Sequence, residues 1–257
     1  MYTTGLERDN PEAIEMMQRQ LGIIDAIYEL AMDLRELTSD GSEMTALESA
    51  FTESPISLSN ILAGGVHCAS ESLLMLKASL QEGTSTLIGL RVLMRTALLG
   101  GARVGYVFCP RTEDERLRNA RHVMGVELAS FNRAARALGE IEHIVSLKPS
   151  EENLTRIQEA SKKFKPQDAV RGENAIIQGF AQYVQPRVTE KDSTVEPEVF
   201  SETLKWIWQS GSGVAHAHAW PATVPDGELL ADLSIVVAAV HVAVEAATDG
   251  WTDQLPK

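Results

Sequence analysis

The sequence predicts an all-α fold, a single bundle of about seven to eight helices. Apolar residues recur at every third and fourth position through most of the 257 residues, which is the repeat of an amphipathic helix. No segment alternates apolar and polar residues between turn signals, as a strand would. Apolar residues make up 44% and charged residues 23% of the chain, proportions typical of a globular protein with a buried core.

The first predicted helix begins at Pro11. Asn10 supplies a side-chain cap, and proline fits the first helical position because its missing N–H would have no partner there. The apolar repeat continues to about residue 37, and a polar stretch to about Ser57 follows. We expect residues 1–57 to form an N-terminal helix and connector outside the main bundle.

Seven further helices are predicted within a helical bundle domain of residues 58–257. Pro110 ends one of them, and Thr112-Glu-Asp-Glu115 opens the next as a capping box, in which Thr112 accepts from the third amide and Glu115 reaches back. A polar loop is expected from Pro186 to Pro197. The predicted ranges are about 58–81, 86–108, 112–146, 150–164, 168–184, 197–210 and 226–248.

Two of these helices carry paired glycines, Gly64-Gly65 and Gly100-Gly101. A glycine inside a helix costs about 1 kcal/mol relative to alanine. We therefore expect the pairs to allow close helix crossings or to admit a bulky tryptophan.

The net charge of −13 is concentrated at the two ends of the chain. Residues 1–60 hold 3 basic and 12 acidic residues, and residues 172–257 hold 4 and 12. This distribution excludes a uniformly basic nucleic-acid binder, because acidic surfaces repel phosphate. RNA would have to meet the middle of the chain, whereas the acidic surface is suited to a protein partner.

Cys68 and Cys109 stand far apart and outside any Cys/His cluster, so the sequence predicts neither a disulfide framework nor a zinc site. The N-terminus has no basic start followed by an apolar run, which a signal peptide would show. Two apolar stretches, Leu87–Cys109 and Leu229–Ala247, contain charged residues that are costly in a bilayer. We expect a cytoplasmic protein without membrane helices.

Arg91 and Arg95 lie one turn apart in the apolar segment LIGLRVLMRTALLG, so their side chains share a face. A buried guanidinium needs an anionic partner. One interpretation is an internal salt bridge to Glu71 or to an acid on the last helix. The other is a cleft that binds an anionic ligand.

The segment SGSGVAHAHAW, Ser210 to Trp220, is the second candidate for chemistry. Gly211 and Gly213 permit a turn whose amides bind an anion at a helix start. His216 follows Ser212 by four residues, and its pKa near neutrality suits proton transfer. Alternatively, Ser210 to Gly213 ends the preceding helix, and the histidines pack beside Trp220.

His216 and His218 also form an HxH pair. On a helix these side chains point about 200° apart, and the sequence offers no third ligand nearby. We therefore expect no metal site. No dinucleotide loop, Walker loop or nucleophile elbow is present, and no cofactor is expected.

The helix LIGLRVLMRTALLGGARVGYVFCP, together with His67 and the late segment WQSGSGVAHAHAW, resembles an uncharacterised family of helical proteins frequent in actinobacteria. Its members typically carry an R-x-A-L-E-x-A-A-x-x-x-W-L-L-x-P helix and an S-G-x-x-H-G-x-x-W segment. The resemblance covers about residues 60–250 and implies no particular activity. The chain departs from the pattern at Leu99, Tyr106 and Ala217, where the family has glutamate, tryptophan and often glycine.

The chain is more distantly similar to the HEPN superfamily, helical bundles that include RNA-cleaving toxins and phage-defence effectors. Their motif places an arginine or another polar residue four to six positions before a histidine at a helix start. Gln209 or Ser212 stands in that position before His216. The resemblance implies a HEPN-like core and a homodimer that brings two such motifs together.

These observations lead to two functional hypotheses. The first is a metal-independent ribonuclease, or an RNA- or nucleotide-binding relative, in a toxin or phage-defence role. Its catalytic residues would be His216, Ser212 and Arg95, and its binding residues Arg91, Gly211, Gly213 and Trp220. The second is a non-catalytic interaction or structural module whose arginines are paired internally. The first requires Arg91 or Arg95 within about 8 Å of His216 in an open cleft, because catalytic groups converge on one reacting centre.

Overall fold

The computed structural model describes residues 11–34, 41–84, 86–141, 143, 148–165, 172–193, 195–218, 221 and 229–252. These residues form nine α-helices and one 3₁₀ turn, and they contain no strand, which confirms the all-α prediction. The helices are α1 (Pro11–Asp33), α2 (Glu43–Glu48), α3 (Leu58–Glu82), α4 (Leu87–Phe108), α5 (Glu113–Glu140), α6 (Glu151–Lys163), α7 (Gly172–Lys191), α8 (Pro197–Ala215) and α9 (Leu229–Thr252). The 3₁₀ turn, η1, is Ser49–Phe51.

Side-chain caps fix where several helices begin. The hydroxyls of Ser57, Thr86, Thr112 and Ser150 each accept an N–H of the first turn of α3, α4, α5 and α6, respectively. One bond of the predicted capping box at Thr112 differs. The Glu115 carboxylate was expected to accept the backbone N–H of Thr112, and it accepts from the Thr112 hydroxyl at 2.9 Å. Each cap satisfies an amide that has no partner within its own helix.

Helix α4 is the central element, and it packs against α3, α5, α7, α8 and α9. Glycine makes the tightest approaches possible. A Cβ atom on Gly100 would lie 2.3 Å from the carbonyl oxygen of Gly65, and one on Gly101 would lie 2.9 Å from Val240. Close helix crossing is therefore confirmed at Gly65, Gly100 and Gly101, whereas Gly64 faces open space.

The core includes residues on both sides of the predicted boundary at residue 57. Ile24 and Ile27 of α1 are fully buried, and α1 packs against α3 and α9.

Helix α9 is the one described helix long and apolar enough to cross a membrane. Its buried residues pack against α1 and α4 in this core, a position that also explains its apolar composition.

The predicted polar connector between the first two long helices was wrong in part, because it contains α2 and η1. Ser42 caps α2, and the side chains of Met44 and Leu47 on this helix are buried. The carboxylate of Glu48 then accepts the N–H groups of Leu58 at 3.0 Å and of Ser59 at 2.7 Å. Its buried apolar residues, Met44, Leu47 and Phe51, follow the helical spacing of three and four, but the segment is too short for that repeat to stand out.

Two predicted helix ends were also wrong. Helix α7 continues through Pro186 to Lys191, although proline removes one helical hydrogen bond. Val188, one turn further, is 3% exposed, so continuing the helix buries it in the core. Helix α5, in contrast, ends at Glu140, because Ile141 adopts an extended conformation.

Candidate functional site

Three arginines form a row along α4, at positions 91, 95 and 103, and neighbouring helices cover the row. The spacing of four places Arg91 and Arg95 on one face, and Arg103, eight residues further on, is rotated by about 80° from Arg95. Arg91 is 7% exposed, and Arg95 and Arg103 are half-buried. Guanidinium groups in such positions require partners within the fold.

Arg91 interacts electrostatically with Asp232 of α9. Burial raises the pKa of Asp232 from 3.8 to about 6, and the positive charge of Arg91 opposes this rise. Asp232 is itself 9% exposed. An acid of the last helix thus lies within the electrostatic reach of Arg91, as the first interpretation expects.

Arg95 stacks on an aromatic ring. Its guanidinium carbon lies 4.2 Å from the centroid of the Trp208 ring of α8, within the range of a cation–π interaction. The Trp208 indole N–H donates to the side chain of Asn174 on α7. Burial lowers the pKa of Arg95, and the carboxylate of Glu173 opposes this effect. Arg95 thus links α4 to α8 beside α7.

Arg103 bridges two further helices. Its guanidinium lies 3.0 Å from the carboxylate of Glu127 on α5 and 3.5 Å from that of Glu173 on α7. Both acids are only partly exposed. The α4 row therefore connects α4 to four helices, α5, α7, α8 and α9.

Ser210 to Gly213 belong to the last turns of α8. The interpretation as a turn at a helix start was therefore wrong, and the alternative, that these residues end the preceding helix, agrees with the structure. Gly211 and Gly213 are buried, and the described glycines with positive φ are Gly41, Gly83 and Gly172. A Cβ atom on Gly211 would lie 2.7 Å from the Cβ of Arg95 and 3.0 Å from the carbonyl oxygen of Arg91. Gly211 therefore permits close contact between α8 and α4, and neither glycine forms an anion-binding turn.

His216 lies at the C-terminal end of α8, whereas the hypothesis requires a helix start. Its backbone N–H donates to the Ser212 carbonyl at 3.1 Å, and its imidazole is exposed beside that of His218, with 6.2 Å between ring centroids. The exposed carbonyls at a helix C-terminus carry partial negative charge. This end of α8 therefore repels an anion such as phosphate.

The contacts described above join Arg91 to Asp232 and Arg95 to Trp208, and neither involves the side chain of His216 or Ser212. The Arg95 guanidinium lies over Trp208. Trp208 precedes His216 by eight residues, which is about 12 Å of rise along the axis of α8. Gly211 contacts the Arg95 Cβ, so the side chain runs from there back toward Trp208. Trp220, the remaining predicted binding residue, lies outside the described residues.

A cavity lined by both charged and apolar residues, which the sequence interpretation missed, lies between the end of α4, the start of α5 and the second half of α7. Its volume is about 630 Å³. Arg187 reaches its wall from α7 and donates to the backbone carbonyl of Cys109 at 3.2 Å. The other lining residues include Arg111, Glu115, Tyr183 and Glu190. No sequence signal marked this site, because Arg187 and Glu190 fell within a predicted loop.

Tyr106 and His122 form a polar contact between α4 and α5, close to this cavity. The Nδ1 atom of His122 lies 3.3 Å from the Tyr106 hydroxyl, and Asn119 donates to the Tyr106 carbonyl at 2.7 Å. Burial lowers the pKa of His122 and raises that of Tyr106. The Tyr106 ring also contacts the ring of Tyr183 at 6.1 Å between centroids, which supports the cavity wall.

Among the described residues, no group of three or more His, Cys, Asp or Glu side chains is placed to hold a metal ion. Comparison of the chain with models of protein families, with curated proteins and with solved structures finds no match.

Proposed function

We propose that this protein is a non-catalytic helical interaction module whose α4 arginines serve the fold. The observation that carries the proposal is the position of the Arg95 guanidinium, 4.2 Å from the Trp208 ring centroid. Arg91 and Arg103 likewise interact with acids of other helices. The ribonuclease hypothesis built on Arg91 and Arg95 places at least one of these cations beside His216, where it would stabilise the charged intermediate.

The outer face of α1 is the interaction surface that we propose. We define this acidic face by the exposed residues Glu12, Glu15, Asp25, Glu29 and Asp33. Arg19, the one basic residue of the helix, lies 3.9 Å from Glu15, and Lys77 of α3 pairs with Asp25 at 2.5 Å. Exposed Met16 and Met32 lie on either side of the acids. A surface of this composition is complementary to a basic protein segment, because opposite charges steer association and apolar contacts add affinity.

The proposal is tested with a panel of lysine- and arginine-rich peptides, whose binding is measured by fluorescence anisotropy at two salt concentrations. The combined variant Glu15→Gln, Glu29→Gln and Asp33→Asn removes three charges from the acidic face. We expect it to weaken binding about tenfold at low salt and less at high salt, because salt screens exposed charges.

A matched control removes three exposed charges from the start of α8, by Glu196→Gln, Glu198→Gln and Glu202→Gln. Peptide binding by this variant should equal that of the wild type. Equal weakening in both variants would show general attraction to a negatively charged protein. That outcome, or no peptide binding by the wild type, contradicts the proposed role of α1.

A second candidate is metal-independent RNA cleavage, and the adjacent imidazoles of His216 and His218 favour it. Both are exposed, with ring centroids 6.2 Å apart, and a histidine pair can supply a general acid and a general base. This candidate includes the HEPN-like relationship, the homodimer and the toxin or phage-defence role in the cytoplasm. It requires that the wild type degrade a mixed RNA pool in EDTA and that His216→Ala and His218→Ala abolish this degradation.

A further inference from the structure

The cavity between α4, α5 and α7 has the size of a small-molecule site. Its volume of about 630 Å³ lies within the range of ligand pockets, about 300–1,000 Å³. The backbone between α4 and α5, at Cys109 to Arg111, forms one wall, and the second half of α7 forms the opposite wall. A second cavity of about 360 Å³ adjoins it and shares Arg187 and Glu190.

Arg187 is the central cation of the cavity. Among the described residues, its hydrogen-bond partner is the Cys109 carbonyl oxygen, 3.2 Å from Nη2. Its charge also acts on the carboxylate of Asp249 in the adjoining cavity, where burial raises the pKa of that group and Arg187 opposes the rise. A guanidinium binds a carboxylate or a phosphate through parallel hydrogen bonds. The half-buried position of Arg187 strengthens such a bond, because fewer water molecules compete for it.

Arg111 supplies a second cation at the mouth of the cavity. Its side chain is 87% exposed and lies 3.9 Å from the carboxylate of Glu190, which is itself 70% exposed. Such exposed ion pairs contribute little stability. The Arg111 guanidinium is therefore able to exchange Glu190 for an anionic ligand at low cost.

The remaining charged residues of the cavity already have protein partners. Arg116 donates to the Glu43 carboxylate at 3.2 Å and to the backbone carbonyls of Pro110 and Arg111. The Glu115 carboxylate accepts from the Thr112 hydroxyl and lies 3.8 Å from the guanidinium of Arg118, a residue that does not line the cavity. The acid Glu115 is thus partly compensated, and Arg116 fixes the backbone that carries Arg111.

Tyr183 and Pro186 give the cavity an apolar surface beside these cations. The Tyr183 ring is held by its contact with Tyr106. A rigid aromatic wall favours stacking with a planar group of a ligand. The cavity therefore combines two cations with a surface for a flat apolar ring.

We propose that this cavity binds a small organic anion, in which a carboxylate or phosphate contacts Arg187 and Arg111 and a planar ring packs on Tyr183. The proposal is independent of the acidic face of α1, which belongs to a different helix and has the opposite charge.

Phenyl phosphate and benzoate test the two anionic groups, and benzamide is the neutral control. Binding is measured by calorimetry and by the shift of amide NMR signals from residues 109–116 and 182–190. We expect at least one of the two anions to bind and benzamide not to bind. Arg187→Gln should weaken anion binding about tenfold or more, and Arg187→Lys should retain part of the affinity. Arg111→Gln, which removes the exposed cation at the mouth of the cavity, should weaken anion binding severalfold.

The matched control is Arg121→Gln, which removes an exposed charge from α5 outside the cavity and should leave the affinity unchanged. No binding of either anion by the wild type overturns the proposal, as does equal binding of benzamide. Equal weakening of anion binding in Arg111→Gln and Arg121→Gln would show that the anions are attracted to any surface arginine, and this result would also overturn the proposal. Basic-peptide binding is measured on the same variants and should be unchanged in each.

Discussion

The guanidinium of Arg95 lies over the ring of Trp208, with 4.2 Å between the guanidinium carbon and the ring centroid. This contact joins the central helix α4 to α8 and occupies the cation that the catalytic hypothesis would require beside His216. Trp208 is 5% exposed, and its N–H donates to Asn174. The contact therefore unites a cation, an aromatic ring and an amide from three helices in one structural cluster.

Gly211 is predicted to be intolerant of alanine, although alanine favours a helix by about 1 kcal/mol. The added methyl group would meet the Cβ of Arg95 at 2.7 Å and the carbonyl oxygen of Arg91 at 3.0 Å. We expect Gly211→Ala to lower the free energy of unfolding by about 1–3 kcal/mol, measured by urea denaturation. Gly64→Ala is the control, because no atom lies within 4 Å of its Cβ position, and it should stabilise the protein. Stabilisation by both substitutions would contradict the close contact at Gly211.

Asp232 should make the stability depend on pH in the weakly acidic range. Burial raises its pKa in the folded state from 3.8 to about 6. Between pH 3.8 and about 6 the folded state therefore holds the carboxyl proton of Asp232 more tightly than the unfolded state does. This contribution to stability is present below pH 4 and is lost as the pH rises through about 6. The urea midpoint of the wild type should fall relative to that of Asp232→Asn between pH 4 and pH 7. A constant difference between the two midpoints would show that Asp232 keeps its ordinary pKa.

Arg116 should be among the most sensitive charged residues. It is 4% exposed and binds Glu43 and two backbone carbonyls. Arg116→Met would leave these acceptors buried without a donor, and we expect a loss of about 3–5 kcal/mol in the free energy of unfolding. Arg118→Met removes an exposed arginine two positions away and should change the free energy of unfolding by less than about 1 kcal/mol. Similar losses in both variants would be inconsistent with a specific role for the buried arginine.

The sequence predicts the long helices well because their apolar repeats and caps are local signals. Helices α4 and α6 begin within one residue of the predicted starts at Thr86 and Ser150, and these two residues are their caps. Pro186 and Gly211 were misinterpreted because both residues usually end helices. Tertiary contacts outweigh that preference, through the burial of Val188 in one case and the close approach of Arg95 in the other.

The candidate sites were predicted less well, since they depend on which helices meet. The spacing of Arg91 and Arg95 places them on one face of a helix, but spacing does not reveal that Asp232 and Trp208 are their neighbours. Arg187 has no distinguishing sequence context. It gains its place in a cavity because α7 continues past Pro186 and packs beside Cys109.

The central claim, that the α4 arginines serve the fold, is tested most directly by a double-mutant cycle between Arg95 and Trp208. The free energy of unfolding is measured for the wild type, Arg95→Met, Trp208→Leu and the double variant. If the guanidinium stabilises the protein through the ring, the two substitutions should show a coupling energy of about 0.5–2 kcal/mol. Strictly additive effects of the two substitutions would contradict this structural role for Arg95.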